Sequence, residues 1–174
     1  MRYASIGRQW GKLFMTSGAG EVRYWLMKSE PEVYSIEDLK RDRTTIWDGV
    51  RNYQARNFLR EMQLGDRVFF YHSNATPPGI VGLMCVAETS IADPTQFDSQ
   101  SDYYDPKSTP ASPRWQTVKV EFVEMFPQIL TLEVLRQTFS PEELLIVRQG
   151  NRLSVIPVHE QVAQQLLERA KAKK

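Results

Sequence analysis

Ten prolines and nine glycines break this 174-residue sequence into short apolar segments. Proline inside a helix or a central strand loses a backbone hydrogen bond, so a bundle of long helices is excluded. The first apolar run, Arg23–Lys28, reads as a strand halted by Pro31. Ser35-Ile36-Glu37-Asp38 has the form of a capped helix start, the serine hydroxyl accepting from a free backbone N–H. Thr44–Trp47 is short and β-branched, Asp48-Gly49 turns the chain, and Asn52 caps a helix whose apolar face is Ala55, Phe58, Leu59 and Met62. Arg67–Tyr71, Ile80–Ala87, Trp115–Phe126 and Arg152–Ile156 read as further strands. Thr131–Thr138 and the segment opened by Ser140-Pro141-Glu142-Glu143 read as two short capped helices, and Glu160–Lys171 as a closing one. Strands and short helices that interleave without regular βαβ repeats predict an α+β fold, a mixed β-barrel flanked by short helices.

Residues 1–22 lack sustained periodicity and read as a disordered leader or linker. One folded domain is expected over 23–170 and a basic tail at 171–174. No apolar run approaches the roughly 20 residues that span a bilayer, and an intracellular monomer is expected, cytoplasmic or, in a eukaryote, nuclear. The one cysteine, Cys85, can form no internal disulfide and reads as a small core residue.

Net charge is +1, but its distribution is uneven. Setting aside the basic first 20 residues and the tail from Glu168 leaves 15 basic against 20 acidic residues, a net −5. A protein gripping long duplexes through phosphates carries a basic surplus, so any nucleic-acid contact must be local. Lys40–Arg67, with seven Lys/Arg against four Asp/Glu, is the best candidate. Glu88–Asp105 holds five acids and no Lys or Arg, and is expected to face away from phosphates. The long polar stretch Asp93–Pro113 reads as a functional loop or lid.

Enzymatic constellations are thin. The two histidines, His72 and His159, show no metal-ligand spacing. Ser29, His72 and Glu30 make a conceivable hydrolytic trio, but no G-x-S-x-G elbow, Walker A loop or G-x-G-x-x-G is present. No cofactor or metal is expected, and the chain reads as a non-catalytic binder. Trp25, Trp47 and Tyr71 lie beside polar turn residues, where an aromatic face can stack on a base for about 1–3 kcal/mol. The Ser29 hydroxyl and Asn52 amide offer edge recognition, Gly49 permits close backbone approach, and Lys28, Arg51 and Arg56 suit a phosphate.

The string Tyr24-Trp25-Leu26-Met27-Lys28-Ser29-Glu30-Pro31, followed by Trp47-Asp48-Gly49-Val50-Arg51-Asn52-Tyr53-Gln54-Ala55-Arg56-Asn57, resembles the EVE domain family. Gly65–Asn74, Pro78–Gly82, Tyr104–Ser108, Pro113–Trp115 and Arg152–Val158 extend the resemblance, in order, over about 23–167. It implies a PUA-like fold, a small β-barrel with flanking helices related to the YTH domains that read methylated adenine in RNA. It also implies non-catalytic recognition of a flipped, modified base, modified cytosine in DNA above all, with an RNA-binding module of the same type as the alternative and a small hydrolase using Ser29 and His72 behind it. Carried onto this chain, Lys28-Ser29-Glu30-Pro31 lines one side of a pocket. Trp47 and Val50-Arg51-Asn52 form the opposite wall, Tyr71-His72-Ser73 the floor or rim, and Arg114-Trp115 the mouth. Read instead as a folding signature, the same motif pairs Glu30 with Arg51 and puts Trp115 in the core.

Overall fold

Strand alternation divides the interior into two cores, one on each face of a single sheet. In the computed structural model, which describes residues 20–172, β1 (Tyr24–Ser29) runs parallel to β3 (Arg67–His72) and antiparallel to β6 (Val155–Val158). Leu26, Phe69, Tyr71 and Ile156 point into one core, while Trp25, Met27, Phe70 and Val155 point into the other. β1 and β3 are buried on both faces, as strands in the middle of a covered sheet are. The full order is β2-β5-β4-β3-β1-β6, with β2 (Thr44–Ile46), β4 (Gly79–Ala92) and β5 (Gln116–Thr131) completing the sheet. The mixed α+β architecture agrees with expectation, and the short β-branched Thr44–Trp47 supplies β2, one of the six strands. The outermost strands, β2 and β6, are not paired, so the barrel is open along that seam.

Helices cover the two faces separately. α1 (Ile36–Asp42) and α2 (Tyr53–Glu61) set Ile36, Leu39, Ala55 and Leu59 against Met27 and Phe70. α3 (Leu132–Thr138) and α4 (Glu160–Lys171) set Leu135, Val162 and Leu166 against Leu26 and Phe69. The expected caps form: Ser35 and Asp38 exchange hydrogen bonds in a capping box, and Asn52 Oδ1 accepts from Ala55 N at 3.0 Å. The helix expected from Ser140 does not form. Ser140 and Glu143 make the reciprocal bonds of a helix start, but the chain continues as turns into a single 3₁₀ turn, Leu145–Val147. Leu144, Ile146 and Val147 are buried there.

β4 and β5 run longer than expected, and register shifts repeatedly interrupt their pairing, which bends the long hairpin around the core. Pro127 is tolerated in β5 because it lies in the stretch between Met125 and Leu130, opposite one such shift. Gly82 lets β4 approach β5: a Cβ there would lie 2.5 Å from the Glu124 carbonyl oxygen. The expected leader lies outside the described residues up to residue 19, as do the last two residues of the tail. No helix among the described residues is long and apolar enough to cross a membrane.

Candidate functional site

β1, β2 and the N-terminus of α2 converge on a cavity of about 560 Å³ on the α1/α2 side of the sheet. Lys28, Ser29 and Glu30, at the end of β1, form one side, and Trp47 through Asn52, leaving β2, form the other. The two segments singled out in the sequence therefore do share a cavity. Ser73 joins them from the end of β3.

Each wall is fixed from behind. The Trp47 ring meets Phe70 edge-on at 5.3 Å and is buried, the Trp47 backbone N–H donates to Val118 O at 2.9 Å, and Thr117 Oγ1 donates to the Trp47 carbonyl. Ser29 Oγ donates to Tyr34 O at 2.7 Å, which ties the end of β1 to the approach to α1. Glu30 accepts from Asn74 Nδ2 at 2.7 Å and makes no ion pair with Arg51, contrary to the folding-signature reading. Arg51 is instead a clasp. Its guanidinium bonds Asp93 Oδ2 at 2.9 Å, Thr95 Oγ1 at 2.8 Å, Tyr103 O at 2.8 Å and Val50 O at 2.9 Å. Asp93 is buried and also accepts from Gly49 N at 2.8 Å.

This clasp revises the reading of the acidic stretch. Expected to face away from phosphates, Glu88–Asp105 nonetheless reaches the site through Tyr103, which lines the cavity. Gly49 makes this possible. Its φ of +79° suits glycine, and a Cβ would meet the Tyr103 ring at 2.9 Å. The polar loop read as a lid is a fixed wall, tied down by Arg51.

Lys28, Glu30 and Asp48 line the cavity without an ion-pair partner among the described residues, and of these only Glu30 is held by a hydrogen bond from another side chain, that of Asn74. Burial lowers the pKa of Lys28 from its ordinary value, and burial followed by the charge of Asp93 raises that of Asp48. Lysine can only donate and a carboxylate can only accept, so Lys28 and Asp48 give the cavity opposite hydrogen-bonding capacities. Asp48, Tyr103, Tyr34 and Ser154 line it and were not picked out as site residues. Asp48 adjoins Trp47 and could have been found from the turn it makes, whereas Tyr103 and Ser154 arrive from distant sequence.

Four residues expected at the site lie outside the cavity, and Arg51, expected to bind phosphate, is engaged elsewhere. Tyr71 belongs to the opposite core, because alternation along β3 turns it away from Phe70. His72 lies beneath the cavity, accepting the Ile36 N–H on Nε2 at 3.1 Å, with its ring edge-on to Phe70. Although Ser29 and His72 are register partners, each side chain is bonded elsewhere, so no Ser–His pair assembles. Trp115 is buried, donates to Asp105 Oδ2 at 2.7 Å and stacks on Tyr53 at 5.0 Å. Arg114 bonds Asp105 and the Tyr53 hydroxyl beside it. Arg51 is consumed by its clasp, and Arg56 donates to Arg114 O and Asn57 Oδ1. A second, smaller cavity of about 350 Å³ lies between Arg23, Glu61, Pro157 and His159. Among the described residues, no group of three or more His, Cys, Asp or Glu is arranged to hold a metal ion.

Comparison with known proteins places this geometry in context. The EVE domain family matches residues 23–169. Thymocyte nuclear protein 1 of Mus musculus is 45% identical over 163 residues, covering 83% of this chain and 72% of that protein. The crystal structure of the human THYN1 protein in complex with 5-methylcytosine-containing DNA superposes with a TM-score of 0.80 at 41% identity, covering 87% of this chain and 99% of that one. The YTH domain of Zygosaccharomyces rouxii MRB1 protein shares the fold at a TM-score of 0.53 and 15% identity, over 92% of this chain and 91% of that one. Because the match spans β1 into α4 and includes both walls of the cavity, the chain belongs to the EVE domain family.

Proposed function

We propose that this protein is a non-catalytic reader of modified DNA that takes one flipped base, modified cytosine, into the cavity between Lys28–Glu30 and Trp47–Asn52. The observation that carries this reading is the cavity itself. Its volume of about 560 Å³ lies within the roughly 300–1,000 Å³ of small-ligand sites. It offers the Trp47 ring as an apolar wall, the Lys28 amine as a donor and the Asp48 carboxylate as an acceptor. Cytosine shows an amine donor beside ring acceptors on its pairing edge, so one donor-only and one acceptor-only group suit it. The human relative crystallised with 5-methylcytosine-containing DNA supports the same substrate class.

DNA is preferred over RNA because the RNA-bound YTH neighbour is similar in fold alone. The separate engagements of Ser29 and His72 support binding without catalysis. The vertebrate relatives are named nuclear proteins, which suits a DNA partner, and the reader is proposed to act as a monomer. The test is a titration of short duplexes that differ only in one 5-methylcytosine, beside the matching RNA. Tighter binding of methylated DNA is the expected result. Equal affinity for methylated and unmethylated DNA, or a preference for RNA, contradicts the proposal.

A further inference from the structure

The rim of the cavity continues into a second feature that base capture does not use. Asn52 lines the cavity, and the next residue, Tyr53, exposes half its surface while stacking on Trp115 at 5.0 Å. Three guanidiniums surround this ring pair. Arg56 lies 4.8 Å above Tyr53 and 5.7 Å from Trp115, Arg114 lies 5.9 Å from Tyr53, and Arg51 lies 5.2 Å from Trp115. Arg60, one turn beyond Arg56 on α2, is exposed and bonds Gln116 Oε1.

Charge pairing along this face is uneven. Arg51 has Asp93 and Arg114 has Asp105, but Arg56 and Arg60 form no ion pair among the described residues. Partial burial, then the charge of Arg60, with Arg114 adding, lowers the pKa of Arg56, so these cations repel one another. Arg56 stands in the middle of α2, where the helix dipole offers it nothing. Cations gathered on aromatic faces without counter-charges are the arrangement that fixes a phosphate backbone. The chain carries almost no net charge, so this is a local concentration and not a reflection of overall basicity.

The geometry points to Arg56 and Arg60 as a phosphodiester clamp that holds the DNA strand flanking the flipped base, with the Tyr53–Trp115 stack, braced by Arg114, as its rigid support. This inference rests on the base-capture reading and names the backbone contacts that accompany it. The clamp fixes the strand's register at the cavity rim and carries no sequence information, as phosphate contacts do. Arg51, bound to Asp93, holds the wall and leaves the phosphates to its neighbours.

The test uses the whole chain with two probes: a short duplex carrying one 5-methylcytosine, and the nucleoside 5-methyl-2′-deoxycytidine, which has no phosphate. In Arg56→Gln/Arg60→Gln, duplex affinity is expected to fall about tenfold or more and the salt slope by about 1.5, with nucleoside affinity unchanged. Arg60→Gln alone, at an exposed position, is expected to lower the slope by nearly one. Unchanged duplex affinity and slope in both variants would overturn the clamp while leaving base capture standing. If the wild-type protein binds neither probe, base capture fails and the clamp falls with it.

Discussion

Lys28 and Asp48 face one cavity with opposite hydrogen-bonding capacities, and neither has an ion-pair partner among the described residues. An unpaired, half-buried lysine costs stability, so Lys28→Met is expected to raise the melting temperature while weakening binding of methylated DNA. A lower melting temperature would show that the amine supports the fold. Asp48→Asn keeps the shape but adds a donor where only acceptors stood. It is expected to lower affinity about tenfold, or about 1.4 kcal/mol, and, by removing a charge that burial disfavours, not to lower the melting temperature, as read by titration and calorimetry. His72 makes a different prediction. Burial lowers its pKa below the ordinary 6.5, with Glu37 acting weakly the other way. The folded state then binds fewer protons than the unfolded state, so stability is lost as pH falls through and below about 6.5. Protonation also removes the Nε2 lone pair that accepts the Ile36 N–H. His72→Gln keeps an acceptor and does not titrate, so wild type should lose more melting temperature than this variant between about pH 7.5 and about pH 5.5.

At the level of elements, the connection from β2 to α2 is held by a loop that follows it by more than 40 residues. Asp93 bonds Gly49 and Arg51, and Arg51 reaches Tyr103. Removing one partner of a buried ion pair leaves the other unpaired, so Asp93→Ala is expected to cost about 3 kcal/mol. Amide exchange should accelerate across residues 93–113 if the loop is held as described, and unchanged exchange would contradict the clasp. Local signals were legible in the sequence: the Ser35 and Asn52 caps, the Glu160–Lys171 helix and the β1 strand lie where adjacent residues put them. Tyr71 was misplaced by one step of strand parity, which Phe70 and Phe69, apolar on both sides of β3, concealed. The Ser140 capping pattern was real, but a cap without a following helical face makes only a turn. Tyr103 and the Arg51 clasp were not legible, because nothing near Gly49 encodes a loop arriving from the far end of β4.

Across the whole molecule, two cores hold one sheet, and the cavity opens on one face only. Its walls come from β1 and from the chain leaving β2, two strands that sit near opposite edges of the sheet order and approach each other because the sheet curls without closing. The sequence conveyed the fold class and both wall segments, since each wall is a contiguous string, while the docking of the 93–113 loop as a wall and the cationic rim depend on tertiary meeting of distant residues. The acid-rich middle of the chain fits a mode in which one base is captured and the backbone is held locally. The most direct test is an NMR titration of the full chain with 5-methyl-2′-deoxycytidine, following backbone amides. Shift changes are expected at Lys28–Glu30, Trp47–Asn52 and Tyr103, the walls of the larger cavity. Changes centred on Arg23, Pro157 and His159, the smaller cavity, or no saturable change at all, would contradict the account.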